Sequence, residues 1–542
     1  MSWIHPLSAG VDATADVLGG KGHGLVVLRR LGLPVPPGFV IGTAAGRAFL
    51  RDGRLPDGLE AELAGAVAGL EADTRRRLGA ARRPLVVSVR SGAAVAMPGM
   101  MSTVLGVGLT GPATAALAAE TGDPRFALDS RLRFLSSFAG AVVGVAPERL
   151  DALARGAAGR ADGGPEPRLA EAVGRVEALV RERAGDDVPD DAGRQLRLAV
   201  EAVLSSWNTP RARTYRELHG IAHDLGTAVT VQAMVFGNRD GHSGAGVAFS
   251  RDPNTGEPVA RGEVLFGGQG DDVVAGRSTA RPLAELAERE PAAWAELLAA
   301  LARVERHHRD ACGVEFTVES GRLWLLQMRP GGLVGRAAVR VAVDLADEGL
   351  IDRREALLRL SARHLGSART PRIEAAAGVD VFLRGLGACL GVAAGRVATT
   401  AERAVAMAAD GPVILVRPHT SPLDMHGLAA AAGVVTASGG PASHAAVVAR
   451  AMGKPAVVGA AELRIDVPGG RVRAGGRALP EGTLVTVDGT GGVVVVGAPR
   501  VVTAPDEQLH RLLGWADEVS GGDPTRTDAE RLAAAHAVLK PA

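Results

Sequence analysis

Cysteine and lysine are both rare in this chain. Cys312 and Cys389 are its only cysteines, which excludes a disulfide framework and a cysteine-ligated zinc site. Lys21, Lys454 and Lys540 are its only lysines, so nearly all of the basic charge is arginine. The formal net charge of +1 indicates no polybasic surface, and we therefore expect neither nucleic acid nor a membrane as a partner.

Long apolar runs are absent as well. No uninterrupted apolar stretch is long enough to cross a bilayer, and the N-terminus lacks a basic region followed by an apolar core. These absences predict a cytoplasmic protein. The 542 residues, 46% of them hydrophobic, suffice for two to four domains with sizeable cores.

The strongest local signal is the stretch VVTASGGPASHAAVVARAMGKPAVVG, residues 434–459. It predicts a buried strand, a Gly-Gly loop and an apolar helix that begins almost at His444, with Ser443 as N-cap and Gly453 closing it. A helix N-terminus offers free N–H groups, and imidazole is largely neutral near pH 7. We interpret His444 as a covalent phosphoryl carrier; a solvated or capping histidine is the alternative.

Two basic side chains lie next to glycine-rich loops. Lys21, in LGGKGHG before a predicted helix at 24–31, lies where a phosphate can approach the backbone, although a tight turn with a surface lysine explains the pattern equally well. Arg90 ends the predicted strand PLVVSVR and suits either a phosphate clamp or a structural salt bridge. From 112 to 220 the pattern is mostly helical, with Arg133 on one helix face.

Acidic and amide side chains follow in a β-rich stretch. Glu263 lies beside a predicted strand, and the hairpin VEFTVESGRLWLLQMRP carries Glu315, Gln327 and Arg329. A three-residue loop, 320–322, would make Glu315 and Gln327 a direct cross-strand pair, whereas a two-residue loop would place them on opposite faces. On one face they would hold Mg²⁺ through oxygens, with Arg329 nearby for phosphate.

Phosphate-facing N–H groups, cations and a magnesium site are together what phosphoryl transfer requires. In these features the sequence resembles the pyruvate phosphate dikinase family. The family's motifs occur in order as LGGKGxxL, SVRSGAAVxMPGMMxTVLxxGL, GTAVTVQxMVFGN, SGxGVAF, QGxDVVAG, EFTVExGxLWLLQxR and SHAAVVAR. The resemblance extends to about residue 510, and MPGMM favours this family over phosphoenolpyruvate synthase.

The resemblance implies an α/β and α+β multidomain fold. It places an ATP-grasp nucleotide-binding domain at 1–335, a helical connector at 336–375, a swivelling β/α phosphohistidine domain at 376–500 and a tail at 501–542. In this family ATP and phosphate become AMP and pyrophosphate while a histidine is phosphorylated. By this match the ATP and Mg²⁺ site is lined by Lys21, Arg90, Arg133, Glu263, Glu315, Gln327 and Arg329, and His444 is the carrier.

Three features depart from the family pattern. The barrel that binds pyruvate should begin where these residues stop, so we expect a barrel supplied in trans, and the sequence also allows a homodimer. Gly313 stands where the family has an Asp two residues before Glu315, and Asp310 is out of register with Glu315 along the strand. Ala442 replaces a threonine that can be a regulatory phosphorylation site, which excludes regulation by that route.

Three hypotheses follow. The first is a dikinase-type module that phosphorylates its own His444 and passes the group to pyruvate on a separate barrel. The second, motivated by Gly313, is a degenerate module that binds nucleotide without turnover. The third is a kinase for another small molecule, for which the connector at 336–375 is too short to be an acceptor-binding domain.

Overall fold

A computed structural model describes residues 2–540, apart from 96, 98, 147–148, 151, 154–164, 276–279, 334, 367, 370, 375–378, 441–442 and 504–506. The predicted domain boundary at 376 and the predictions for Ala442 therefore lie outside the described residues. The chain divides into two compact units. The first unit comprises Met1–Arg239 and Trp324–Met328; the second comprises Asp240–Leu323 and Arg329–Ala542. Both combine helices with sheets, which confirms the mixed α/β multidomain class.

The first unit is built on an antiparallel five-stranded sheet of order β1-β2-β7-β5-β6. The strands of this unit are β1 (Ile4–Pro6), β2 (Gly38–Ile41), β3 (Arg77–Leu78), β4 (Pro84–Leu85), β5 (Val87–Gly92), β6 (Thr103–Val107) and β7 (Ala228–Ala233). Its helices are α1 (Ala15–Arg30), α2 (Thr43–Asp52), α3 (Leu59–Thr74), α4 (Gly111–Thr121), α5 (Pro124–Phe138), α6 (Pro165–Ala184), α7 (Ala192–Ser205) and α8 (Pro210–Leu218). Helices α4 to α8 lie in the stretch 112–220, for which the sequence predicts a mostly helical pattern.

A second five-stranded sheet has the order β10-β9-β8-β11-β12. Its elements are β8 (Gly244–Phe249), β9 (Arg261–Phe266), α9 (Gly270–Ala275), β10 (Arg281–Pro282), α10 (Glu285–Arg289), α11 (Pro291–His308) and β11 (Cys312–Glu319). Strand β12 (Arg322–Pro330) follows β11 and contributes Trp324–Met328 to the first unit.

The predicted connector and the predicted tail pack together in the second unit. Helices α12 (Gly335–Asp347), α13 (Arg353–Arg359) and α14 (Ala362–Gly366) share one apolar core with two helices from the C-terminal end, α18 (Glu507–Ser520) and α19 (Asp528–Leu539). Val343, Leu357 and Leu512 are fully buried there. The two segments, separate in the sequence, therefore form a single helical cluster.

An eight-stranded sheet forms the rest of the second unit, in the order β14-β24-β23-β16-β17-β18-β19-β15. The elements here are β13 (Pro371–Ile373), β14 (Val381–Arg384), β15 (Leu386–Cys389), β16 (Val392–Ala398), α15 (Ala401–Ala408), β17 (Val413–Arg417), α16 (Met425–Ala430), β18 (Gly433–Thr436), α17 (His444–Met452), β19 (Ala456–Val458), β20 (Arg464–Asp466), β21 (Arg471–Ala474), β22 (Arg477–Pro480), β23 (Leu484–Asp488), β24 (Val493–Val496) and β25 (Val501–Thr503).

Four neighbouring strands of that sheet, β16, β17, β18 and β19, are parallel and are joined by helices. Because the carboxyl ends of parallel strands lie at one edge, the loops after β17 and β18 meet there. No helix among the described residues is both long enough and apolar enough to span a bilayer.

Candidate functional site: the His444 loop and the nucleotide-side residues

Helix α17 begins at His444 as predicted. Ser443 has the extended backbone of an N-cap, with φ −63° and ψ 159°, and Gly453 ends the helix in the left-handed region at φ 65°. The side chain of Ser443 does not cap the helix; its Oγ donates to the carbonyl of Gly440 at 2.7 Å. The serine thereby fixes the loop before the histidine and leaves the first N–H groups of the helix to other acceptors.

The imidazole of His444 is buried, with 9% of its surface exposed. Its Nδ1 lies 3.1 Å from Thr420 Oγ1, on the neighbouring loop after β17, while Nε2 has no hydrogen-bond partner among the described residues. Burial lowers the pKa of His444, and the charge of Asp424 opposes this only in part. The ring is therefore neutral at pH 7. When Nδ1 carries the proton and donates it to Thr420, the lone pair lies on Nε2, the nitrogen that is free to react.

Glu263 lies against the loop that precedes His444. A Cβ atom placed on Gly440 would be 1.2 Å from Glu263 Oε1, so only glycine admits the carboxylate at this point. Glu263 is 5% exposed in β9, where it pairs with Val247. The sequence predicted a nucleotide-site role for Glu263, and that role stays a prediction; its position beside Gly440 was not predicted.

Two further contacts in the second unit end on β15, an edge strand of the eight-stranded sheet. Asn254 Nδ2 donates to the carbonyl of Gly387 at 2.9 Å, and Arg450 Nη1 donates to the carbonyl of Ala388 at 2.9 Å. Burial lowers the pKa of Arg450 to about 10, while Cys389, Glu263 and Asp252 act in the opposite direction. The positive charge of Arg450 is thus held close to the acidic groups that flank the His444 loop.

In the first unit the segments that carry Lys21, Arg90 and Gln327 come together. Helix α1 begins at Ala15 rather than near residue 24, and Gly19, with φ 67°, interrupts its regular geometry. The amide of Gly20 donates to the carbonyl of Ala93 at 2.9 Å, and a Cβ on Gly92 would be 3.4 Å from Lys21 Cβ. The predicted glycine loop is therefore a kink inside a helix, packed on the chain that follows β5.

Arg90 lies within β5 rather than at its end. It is 9% exposed and donates to Gln232 Oε1 and, at 3.2 Å, to the carbonyl of Leu326. A Cβ on Gly24 would be 3.3 Å from Met328 Cγ, so α1 and the segment with Gln327 are neighbours. Both the phosphate clamp and the structural role remain consistent with these contacts.

Arg133 on α5 donates through Nε to Asp129 Oδ2 at 2.8 Å, and Asn238 Nδ2 donates to the same oxygen at 2.9 Å. Neither partner was identified from the sequence. The nucleotide role of Arg133 stays a prediction.

The hairpin that carries Glu315 and Gln327 lacks the three-residue loop that would pair these two side chains for binding Mg²⁺. Ser320 and Gly321 alone connect β11 to β12, and both have positive φ, 49° and 78°, as a two-residue type I′ turn requires. The three-residue loop is not formed, so the direct cross-strand pairing of Glu315 with Gln327 is wrong. Arg329 Nη2 instead lies 2.8 Å from Glu315 Oε1 as an ion pair.

Metal-binding groups are sparse in the part of the chain that the structure describes. No three His, Cys, Asp or Glu side chains cluster there closely enough to hold a metal ion. Glu315 offers one carboxylate, already paired with Arg329. This donor set fits Mg²⁺ only if phosphates supply most of the ligands, which is how Mg²⁺ is commonly bound with nucleotides.

Gly313 pairs with Phe249 in the sheet, two residues before Glu315 and on the same face of β11. A Cβ on Gly313 would be 3.1 Å from the Phe249 ring. Asp310 does not substitute for the missing acid on this face: it precedes β11, and its Oδ1 accepts from the amide of Ala311 at 2.8 Å. Burial raises the pKa of Asp310.

Comparisons with known proteins match two separate stretches of the chain. Residues 51–282 match the family model described as pyruvate phosphate dikinase, AMP/ATP-binding domain, and residues 409–492 match that of the PEP-utilising enzyme, mobile domain. The second match contains Thr420 and His444. The chain is 41% identical to pyruvate, phosphate dikinase of Rhizobium meliloti (strain 1021), over 99% of this chain and 62% of the relative.

The chain belongs to the pyruvate phosphate dikinase family. It is also 42% identical to pyruvate, phosphate dikinase 2 of Zea mays, over 94% of this chain and 59% of that protein. Identity to the chloroplastic pyruvate, phosphate dikinase 1 of Arabidopsis thaliana is 40%, over 94% of this chain and 54% of that protein. The chain thus spans between 54% and 62% of the length of these three relatives.

Proposed function

We propose that this chain is a dikinase-type phosphotransferase that phosphorylates its own His444, converting ATP and phosphate to AMP and pyrophosphate. The observation that carries the proposal is the state of the imidazole: neutral, buried, held at Nδ1 by Thr420 and without a hydrogen bond at Nε2 among the described residues. Nε2 forms a bond to the β-phosphorus of ATP while the α–β phosphorus–oxygen bond breaks, and AMP leaves with the electron pair. An oxygen of the added phosphate then forms a bond to the γ-phosphorus while the β–γ bridge breaks, so that pyrophosphate leaves and the β-phosphoryl group stays on His444.

The nucleotide side of the reaction is assigned to the cationic and polar groups of the ATP-binding domain. We propose that Lys21, Arg90, Arg133 and Arg329 bind phosphate oxygens, and that Glu263 lies at the point where the His444 loop meets this domain. Its approach to Gly440 supports that role. Mg²⁺ brought with ATP would neutralise phosphate charge, with Glu315 as its protein carboxylate.

The acceptor is proposed to be pyruvate. Its site would lie on a barrel outside residues 1–542, either on a partner or on a longer form of this chain. We further propose that the protein acts in the cytoplasm.

The test uses ATP labelled at the β-phosphorus. AMP retains the α-phosphorus, and the added phosphate leaves with the γ-phosphorus as pyrophosphate, so the group left on histidine carries the β label. We expect acid-labile label on the protein in the presence of phosphate and Mg²⁺. His444→Ala should abolish it, and His426→Ala, at an exposed histidine of the same domain, should retain it. Label that persists in His444→Ala, or no label on the unaltered protein, would refute the proposal.

A second candidate function is nucleotide binding without turnover. Gly313 favours it, because the position two residues before Glu315 on the same face of β11 carries no carboxylate. Saturable ATP binding without AMP release over hours would support this candidate. Any AMP formation that depends on His444 would exclude it.

A further inference from the structure

Asp424 is a buried carboxylate on the loop after β17, with 6% of its surface exposed. Its Oδ2 accepts from the amide of Ser421 at 2.8 Å and from the hydroxyl of Ser421 at 3.1 Å. Its Oδ1 lies 3.2 Å from Arg417 Nε. Each oxygen therefore has its own partner, and together they connect the end of β17 with the residue that follows Thr420.

These contacts fix the position of Thr420. The amide and hydroxyl of Ser421 complete a capping box with Asp424, which defines the backbone immediately after Thr420. On the other side, the amide and the hydroxyl of Ser438 both donate to the carbonyl of Pro418, at 2.9 and 3.0 Å, and so join this loop to the one before His444. Thr420, 4% exposed, has little freedom to move away from the imidazole.

The orientation of the Thr420 hydroxyl decides which nitrogen can react. A histidine that donates from Nδ1 has its lone pair on Nε2, whereas the other tautomer presents a proton there. The Thr420 hydroxyl can accept from Nδ1–H or donate to an unprotonated Nδ1, and only the first arrangement leaves on Nε2 the lone pair that attacks phosphorus.

We propose that Asp424 is a positioning residue for the phosphoryl carrier: it holds the loop 418–421 so that Thr420 keeps His444 in the Nδ1–H tautomer, with the lone pair on Nε2. The inference rests on the proposed role of His444. As the Nε2–phosphorus bond forms and the bond from phosphorus to the leaving oxygen breaks, Nδ1 retains its proton and the ring becomes cationic. No proton has to leave the buried site.

The electrostatics of the site agree with this geometry. The negative charge of Asp424 favours a cationic ring, in opposition to burial. Other charged groups near the two loops include Arg417, which pairs with Asp424, Glu263 beside Gly440, and Arg450, whose charge interacts with Glu263. Asp424 is therefore suited both to orient the imidazole and to stabilise the charge that it acquires.

The first measurement is nuclear magnetic resonance of the full chain with ¹⁵N-labelled histidine, in which His444→Ala assigns the signal. We expect the unaltered protein to show the Nδ1–H tautomer. Asp424→Asn should show both tautomers and a lower pKa for His444, because the carboxylate charge is gone. Asp488→Asn is the matched control: Asp488 is also buried and also accepts from loop amides, at Thr490 and Gly491, in the same domain.

The second measurement is the rate of His444 phosphorylation. Asp424→Asn should lower it about tenfold, the lower end of the loss seen when an outer-shell partner of a metal-ligating histidine is removed, while Asp488→Asn should leave it unchanged. An Nδ1–H tautomer and an unchanged rate in Asp424→Asn would overturn the proposal. An equal loss in Asp488→Asn would also overturn it, because the effect would then be a general loss of stability.

Two additions keep the result interpretable. If Asp424→Asn does not fold, Ser421→Ala removes one loop contact and leaves the carboxylate charged, and an unaltered tautomer in that variant would overturn the proposal. The tautomer is measured without ATP. A protein that shows the predicted tautomer but takes up no label therefore refutes the proposed function and not the role of Asp424.

Discussion

Gly440→Ala is the sharpest perturbation of the His444 loop. The added Cβ would be 1.2 Å from Glu263 Oε1 and 2.2 Å from its Cδ, whereas ordinary contact begins at 3.4 Å. Gly440 does not have a positive φ, so alanine introduces no left-handed backbone strain and the expected effect comes from the steric clash. Either the carboxylate or the loop must retreat by about 2 Å.

The size of the effect on the phosphorylation rate depends on how far the Glu263 side chain can move away from the added Cβ. It stands on a paired strand and is 5% exposed. Overpacking of such a site costs about 1–3 kcal/mol, which corresponds to a decrease of about 5- to 150-fold in the population with the loop in place. We expect the single-turnover rate of His444 phosphorylation to fall by a factor in that range.

The assay has a steric control and a rescue. Gly241→Ala, in the same unit, adds a Cβ with no atom within 4 Å and should leave the rate unchanged. In a Glu263→Ala background the substitution of Gly440 should cost little, because the clashing atoms are gone. An unchanged rate in Gly440→Ala, or additive effects in the double variant, would refute the reasoning.

Three further predictions concern pH, the missing acid and a buried ion pair. Burial lowers the pKa of His444 from 6.5, so the unfolded chain binds the proton more readily than the folded chain. Unfolding titrations should therefore show that the free energy of unfolding decreases as pH falls through 6.5. The decrease should be smaller in His444→Ala, which lacks the titrating group. Gly313→Asp adds a carboxylate on the face of β11 that carries Glu315, but its Cβ would be 3.1 Å from the Phe249 ring. We expect AMP release to rise and the melting temperature to fall. A fall in AMP release would contradict the role of the added carboxylate. The side chain of Arg251 is 2% exposed and lies 2.8 Å from Glu305. Denaturant titration of Arg251→Ala should show a loss of about 3–5 kcal/mol in the free energy of unfolding, because a buried carboxylate loses its partner. A loss below about 1 kcal/mol would show that the carboxylates find other partners.

Features set by neighbouring residues could be predicted from the sequence. The start of α17 at His444 and its end at Gly453 follow from local rules, since an extended residue before the helix and a left-handed glycine after it are short-range requirements. The hairpin of β11 and β12 was also predictable, but its loop was not: Ser320 adopts φ 49°, which a sequence pattern does not indicate for serine.

Features set by distant residues could not be predicted. Thr420 is 24 positions from His444, and the two meet only because their strands are parallel neighbours in the sheet. A Thr at the end of one strand and a His after the next were visible signals, but the strand order was needed to combine them. The approach of Glu263 to Gly440 is less local still, since it joins two different sheets.

The pairing of β13 with β25 determines how the His444 domain is connected to the helical cluster. The chain enters the His444 domain at Pro371–Ile373 and leaves it at Val501–Thr503, and these two crossings are hydrogen-bonded side by side. Both continue into the same helical cluster. A domain connected by a single flexible linker can rotate in all directions, whereas a domain connected by two hydrogen-bonded strands rotates mainly about one hinge axis. Under the proposed function, such a ribbon would restrict His444 to an arc, and a phosphate donor and an acceptor on that arc would meet the carrier at a raised effective concentration.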